Sequence, residues 1–387
     1  MSPRAAITTV FFVDGALFAS WASRIPALSD RAAATPGELG LALLAPALAA
    51  VVAIPVAGRL LQGRSSRTFC AVATLGLMGA ILLPPLARSV PALATALLAV
   101  GVANSTLDLA MNAQAVSVER RVSHPIFSSM HAAFSFGGFA GAGVGALAAA
   151  LDVAPLPHLA LAALLFGVPG LIATAPLLPE DEDEDVHAPR LIWRRLPLRL
   201  AMLGAACFFC LMAEGGASDW SAKLVRDDLG GSAAWGAVAY AVFSVGMGSG
   251  RLITDRLWLR WGSIGLLRRC GMLAAIGFAV GLGAGTVPTA IAGFAALGLG
   301  LAGVIPTLFR AGADQPGVST GPALSVVTSL GYLGFLAGPP LIGGVAQLTS
   351  LRLACGILVL AGLVVVGLAP IAEIRLIGSP AAGRGSA

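Results

Sequence analysis

Long apolar stretches separated by short polar ones run from one end of the chain to the other. Twelve of them lie near 6–28, 39–61, 68–87, 91–117, 128–151, 156–178, 199–222, 233–255, 264–285, 287–309, 320–347 and 351–373. Each holds about 20 residues, enough for a helix to cross a bilayer core roughly 30 Å thick. A membrane β-barrel would instead show alternating segments of about 10 residues. These runs are continuous and rich in Ala, Leu and Gly. The pattern therefore predicts an all-α membrane protein with twelve transmembrane helices in two halves. The one long polar interruption, PEDEDEDVHAPRLIWRRLPLR from Pro179 to Arg199, falls at the midpoint. It predicts a six-helix bundle over 1–178, a cytoplasmic linker over 179–198, and a second six-helix bundle with a short cytoplasmic tail over 199–387.

Composition agrees: 57% of the residues are hydrophobic and 11% charged, against about a quarter charged in soluble domains. The net charge of +5 could point to nucleic acid, but its placement excludes that reading. With the N-terminus in the cytoplasm, 18 of the 24 Lys and Arg residues fall on the cytoplasmic side, all but Arg24, Arg31, Arg88, Lys223, Arg226 and Arg352. That is the bias that orients membrane helices, and it places both termini inside. The first apolar run is too long for a signal peptide and reads as a retained helix. Cys70, Cys207, Cys210, Cys270 and Cys355 all fall in or beside apolar runs and read as small packing residues, with no metal or redox framework.

The two halves repeat one another. GRLLQGRSSR from Gly58 matches GRLITDRLWLR from Gly250, and HAAFSFGGFAGAGVG from His131 matches SVVTSLGYLGFLAG from Ser325. DGALFASWASR from Asp14 aligns with EGGASDWSAK from Glu214: an acid and a glycine first, then a Trp, two small residues and a base. The loop after helix 8 resembles the cytoplasmic signature of the major facilitator superfamily, with Asp255, Arg256, Arg260 and Gly262 in register. Arg251 stands where its first glycine is usual, and the matching aspartate of the first half is absent near Gln62. FASWASRIPAL (18–28), LAMNAQAVSVER (109–120), MHAAFSFGGFAGAGVG (130–145), AEGGASDWSAKL (213–224) and SLGYLGFLAGPPLIG (329–343) together resemble the fucose-permease-like branch of that superfamily. The resemblance implies alternating-access transport by a monomer in the bacterial plasma (inner) membrane, without a cofactor. It also implies a cavity lined by helices 1, 4, 7 and 10, and Arg–carboxylate contacts at Arg59, Arg251, Asp255 and Arg256 that gate the cytoplasmic side.

Within the fourth run, NSTLDLAMNAQ puts Asn104, Asp108 and Asn112 at i, i+4 and i+8, on one helix face, with Gln114 on another where it reads as packing. An ionised acid near the bilayer centre costs roughly 2.5–3.5 kcal/mol and persists when paired, protonated or beside water. Asp14, Asp108 and Glu214 fall in three of the four cavity helices. A carboxylate that alternates between dry and wet surroundings binds a proton in one and releases it in the other, so these three are candidate proton carriers. The bland alternative is interhelical hydrogen bonding. In the symporters that the chain resembles, acids on helices 1 and 4 carry the proton, which singles out Asp14 and Asp108. His131 is a candidate partner of Asp108 across helices 4 and 5.

Candidate solute-binding groups are Asn104, Asn112, Ser135, Thr328 and Tyr332, the last two on a hydroxyl-rich stripe of helix 11. Trp21 and Trp220 read either as interfacial belt residues or as rings stacking on a sugar. Asp219 and Lys223, at i and i+4, suggest a helix-end ion pair.

No nucleophile elbow, phosphate loop or metal-ligand cluster is present, so an enzyme is not expected. With acids, amides and hydroxyls but no Arg or Lys expected at mid-depth, the leading expectation is proton-coupled transport of a small neutral sugar or polyol. A proton-driven exporter of amphipathic or cationic compounds is the alternative, and a non-transporting sensor is a third.

Overall fold

The computed structural model describes residues 1–61, 65–121, 127–179, 196–316, 318 and 320–373, and the acidic segment of the interhelical linker, with Gln62 and Arg64, lies outside them. Six helices make the first half: α1 (Pro3–Ala22), α2 (Pro36–Leu61), α3 (Ser66–Ala80), α4 (Val90–Arg120), α5 (Phe127–Ala150) and α6 (Pro155–Thr174). The second begins with α7 (Leu198–Lys223), followed by the helical run Ala233–Ala284. That run is twice the length a bilayer needs, and it breaks at Gly262, whose φ of 65° and ψ of 177° belong to no helix. Glycine adopts this conformation without a Cβ clash, so the run is two helices, α8 (233–261) and α9 (263–284). α10 (Val287–Ala313), α11 (Thr320–Leu348) and α12 (Leu351–Ala372) complete the bundle. The fold is thus the twelve-helix, two-half architecture that the hydropathy pattern predicts.

Local chemistry sets the helix ends. Ser2, Ser89 and Ser232 cap α1, α4 and α8 through their side chains, and Thr35 with Glu38 closes a capping box on α2. α10 is interrupted at Ala302–Gly303, with Pro306 in the first turn of its second segment. Discontinuous helices of this kind are common where transporters bind solutes.

In each half the first helix lies directly on the fifth. A Cβ on Gly137 of α5 would come within 1.9 Å of the Phe12 carbonyl oxygen of α1, and one on Gly334 of α11 within 2.1 Å of the Phe208 oxygen of α7. The glycine-rich motifs are therefore packing seams, in which helices associate by backbone contact. Leu41, Val51, Val72, Leu147, Leu164 and Leu360 are exposed on the outside, a coat suited to acyl chains.

The halves meet chiefly where α2 crosses α11 and where α5 crosses α8. The first crossing lies at the end of the bundle where α1 finishes, called the outer end below. There Arg226 donates to both carboxylate oxygens of Asp30, at 2.6 and 2.8 Å, and Lys223 Nζ donates to Ser29 Oγ. The Gly37 N–H donates across the same crossing to Gln347 Oε1 at 3.3 Å.

Candidate functional site

The polar stripe of α4 faces accessible space: Asn104, Asp108 and Asn112 are all partly exposed although their helix is central to the fold. Asn112 Nδ2 donates to Asp108 Oδ1 at 3.0 Å and to the Asp108 carbonyl at 2.7 Å. The Asn104 side-chain carbonyl oxygen is buried without a hydrogen-bond donor.

Gln114 behaves differently. It is fully buried, donates to Ser66 Oγ of α3 at 2.6 Å and to the Leu178 carbonyl at 2.9 Å, and accepts from the Leu178 N–H at 3.1 Å. The amide ties α4 to α3 and to the end of the first half. Gln114→Ala would strand buried donors and acceptors, each costing about 1–3 kcal/mol. Thermal unfolding of this variant is expected to begin several degrees below wild type, with solute binding unchanged at saturation.

On α1, Asp14 is 1% exposed, and neither carboxylate oxygen has a hydrogen-bond partner among the described residues. Midway along α7, Glu214 Oε1 accepts from Arg251 Nη2 at 3.3 Å. Arg251 Nη1 reaches the other half, donating to Ser135 Oγ at 2.8 Å and to the His131 carbonyl at 3.4 Å.

This placement corrects the expectation of a mid-depth free of basic groups. α8 continues unbroken to residue 261, so Arg251 lies about three turns inside the helix, and its long side chain reaches back to the middle of α7. The His131 ring packs edge-on against Phe11, with centroids 5.2 Å apart. The His131 ring thus lies against α1, and its carbonyl accepts from Arg251.

Tyr332 of α11 is 45% exposed, with Ser329 exposed and Thr328 partly so on the same face. Hydrogen bonds thus join Asp108 to Asn112 on α4, and join Glu214 of α7 through Arg251 of α8 to Ser135 of α5.

Trp21 and Trp220 are 2% and 0% exposed, and neither indole N–H has a hydrogen-bond partner among the described residues. A belt tryptophan presents its N–H to the headgroup layer, so the belt reading fails for both. Trp21 packs edge-on against Phe18 at 5.4 Å. The Asp219–Lys223 pair is also corrected: Lys223 Nζ pairs with Asp227 Oδ2 at 2.7 Å, four residues further along the chain instead of four residues back. Asp219 stays buried and accepts only a long bond, 3.4 Å, from Ser218 Oγ.

At the opposite end, Asp255 pairs with Arg310 of α10, and the Arg310 guanidinium lies over the Trp258 ring at 5.0 Å. That contact is internal to the second half, whereas the loop was expected to join the halves. Arg59 and Arg256 are exposed. Of the four expected gate residues, Arg251 alone bridges the halves among the described residues, and it does so within the bundle. Its role escaped the sequence because the signature assigned it to a loop. The Arg226–Asp30 link at the outer end escaped too, because the two residues lie 196 positions apart.

Twelve membrane-spanning helices, with a Glu214–Arg251 ion pair and the Asp108–Asn112 stripe between their halves, fit a polytopic transporter. The family model of the Major Facilitator Superfamily matches residues 7–321, and the chain belongs to that superfamily. It is 34% identical over 361 residues to an uncharacterised MFS-type transporter of Yersinia pestis, with 92% of each chain covered. It is 30% identical over 372 residues to an uncharacterised transporter of Sinorhizobium fredii, covering 96% of this chain and 98% of the relative. Its fold is similar to that of the nucleoside transporter NupG, with a TM-score of 0.75 at 13% identity, covering 97% of this chain and all of that one.

Proposed function

We propose that the protein carries a small, neutral, hydroxyl-rich solute across the bacterial inner membrane by alternating access, coupled to protons. The observation that carries this reading is the set of buried or half-buried acids at mid-depth, with Asp14 lacking any hydrogen-bond donor. Arg251 alters the basis for excluding anions but leaves the conclusion in place, because Glu214 offsets its charge. The remaining lining is acidic, amide and hydroxyl. A nucleoside transporter among the structural neighbours is in keeping with a polar, hydroxylated solute. Asn104, Asn112, Thr328 and Tyr332 would donate to and accept from the solute's hydroxyls, with Trp21 and Trp220 walling the outer side of the site. In this reading the bundles 1–178 and 199–387 rock about the linker 179–198, and Arg59, Asp255 and Arg256 stand at the cytoplasmic entrance with both termini inside. The fucose-permease-like branch is the assignment that the quoted segments support. The links between Arg226 and Asp30 and between Gly37 and Gln347 support a state closed on the outside.

The excess of acids over bases at mid-depth also favours a second reading, export of cationic compounds. Thermal unfolding of the purified protein against sugars, polyols and nucleosides on one side and lipophilic cations on the other separates the two. A ligand that binds only the folded state raises its apparent stability by mass action. Stabilisation by a neutral hydroxylated compound is expected, and stabilisation by the cations alone would replace uptake with export.

A further inference from the structure

The sequence repeat makes Arg24, at the end of α1, the counterpart of Lys223, at the end of α7. The fold gives the two cations different surroundings. Both are 7% exposed. Lys223 has a carboxylate beside it, Asp227 at 2.7 Å, and a hydroxyl across the interface, Ser29. Arg24 Nη2 donates to the Val153 carbonyl at 2.6 Å, while Nε and Nη1 have no hydrogen-bond partner. Among the described residues no carboxylate pairs with it. A guanidinium does not give up its proton in proteins, and a buried charge without a counter-charge is strongly unfavourable. Burial accordingly draws Arg24 below its ordinary value.

Arg24 lines a cavity of about 170 Å³ at the outer end, together with Ser23, Asp152, Val153, Ala154 and Ala233. Two features of the backbone shape it. α5 ends with Asp152 in the left-handed region, φ 52°, and with N–H bonds from Asp152 to the Ala149 carbonyl and from Val153 to the Ala148 carbonyl. This helix-end motif turns the Val153 carbonyl onto Arg24. Across the cavity, α8 starts at Ala233. Ser232 Oγ accepts from the Trp235 N–H, and the Gly236 N–H donates the first helical bond, so the N–H groups of Ala233 and Ala234 have no acceptor within the helix. A helix N-terminus carries a partial positive charge that suits anions. Asp152 is exposed on the rim, and the buried His158 imidazole interacts electrostatically with Arg24 from α6.

We propose that this cavity binds a small oxyanion, a carboxylate or phosphate group, between Arg24 of the first half and the start of α8 of the second. Such a ligand spans the two halves at the outer end. It therefore favours the arrangement in which that end is closed, and acts apart from the mid-depth network. The oxyanion is supplied either by solution or by a lipid headgroup, since the cavity lies at the end of the helices, where α1 finishes and α8 begins.

The test is thermal unfolding of the full-length protein titrated with sodium phosphate or sodium acetate, against sodium chloride at matched ionic strength. The same series is run in nanodiscs with and without phosphatidylglycerol. Wild type is expected to gain a saturable rise of a few degrees that Arg24→Gln lacks. Ala233→Glu, at an exposed position, supplies a tethered carboxylate; it is expected to be more stable in chloride and to lose the response, which keeps the test valid if Arg24→Gln does not fold. A response to phosphatidylglycerol alone assigns the oxyanion to a headgroup. The proposal is overturned if phosphate, acetate and phosphatidylglycerol all leave wild type unmoved, or if they shift wild type and Ala233→Glu equally.

Discussion

Asp108→Asn is expected to abolish accumulation of solute against a gradient while leaving exchange of solute across the membrane intact. Asn keeps the volume of the side chain and an acceptor for Asn112 Nδ2, which donates to Asp108 Oδ1 at 3.0 Å, so the α4 stripe keeps its shape. What it removes is the group that binds and releases a proton. A carrier that takes one proton per solute concentrates its solute about tenfold per unit of pH difference, since one unit is worth about 1.36 kcal/mol. In proteoliposomes, wild type should show that ratio, and Asp108→Asn a ratio of about 1 with counterflow retained. Asp14→Asn should behave alike, because Asp14 is a second buried carboxylate with no hydrogen-bond partner among the described residues. Undiminished accumulation in both variants would rule out these acids as the coupling groups. Loss of counterflow as well would move Asp108 from coupling to solute binding. A non-transporting sensor would show neither accumulation nor counterflow in the wild type.

The fold was legible because each helix must satisfy its own backbone in lipid, which leaves a plain twenty-residue signature for every span. Even the joint between α8 and α9 was visible as a charged stretch around Arg256 and Arg260, although the backbone runs on as helix to Gly262. Parts of the site were equally legible. Asp108 and Asn112 share a face by simple helical spacing, and the structure bonds them to one another. What failed depended on side-chain reach or on local backbone. Arg251 was assigned to a loop by its signature, and its guanidinium was found at the middle of α7. Lys223 pairs with Asp227 in preference to Asp219, although both stand four residues away, so spacing alone could not choose between them. The tryptophans matched the belt pattern by position along their helices. Which side of a helix faces lipid and which faces the partner half is settled only by packing.

The Glu214–Arg251 pair offers the sharpest energetic prediction. Both side chains are mostly buried, at 20% and 15% exposure, and Arg251 also holds Ser135 and the His131 carbonyl. Arg251→Met leaves the Glu214 carboxylate without its cation and Ser135 without its donor. Removing one partner of a buried pair costs about 3–5 kcal/mol, much of it the penalty for the charge left behind. Glu214→Gln leaves Arg251 in the same position with the opposite sign, buffered by its two bonds to α5, so its cost should be smaller. In the double variant neither charge remains, and the loss should fall well short of the sum, with a coupling of about 2 kcal/mol within the range for contacting residues. Unfolding of the four proteins in one detergent measures this cycle. Additivity within about 0.5 kcal/mol would mean that Glu214 and Arg251 do not depend on one another. The Glu214 charge would then be free to meet a solute, and the cation-export reading would gain at the expense of neutral-solute uptake. Strong coupling assigns Glu214 to holding Arg251 in place across the halves, and leaves Asp14 and Asp108 as the acids available to the proton.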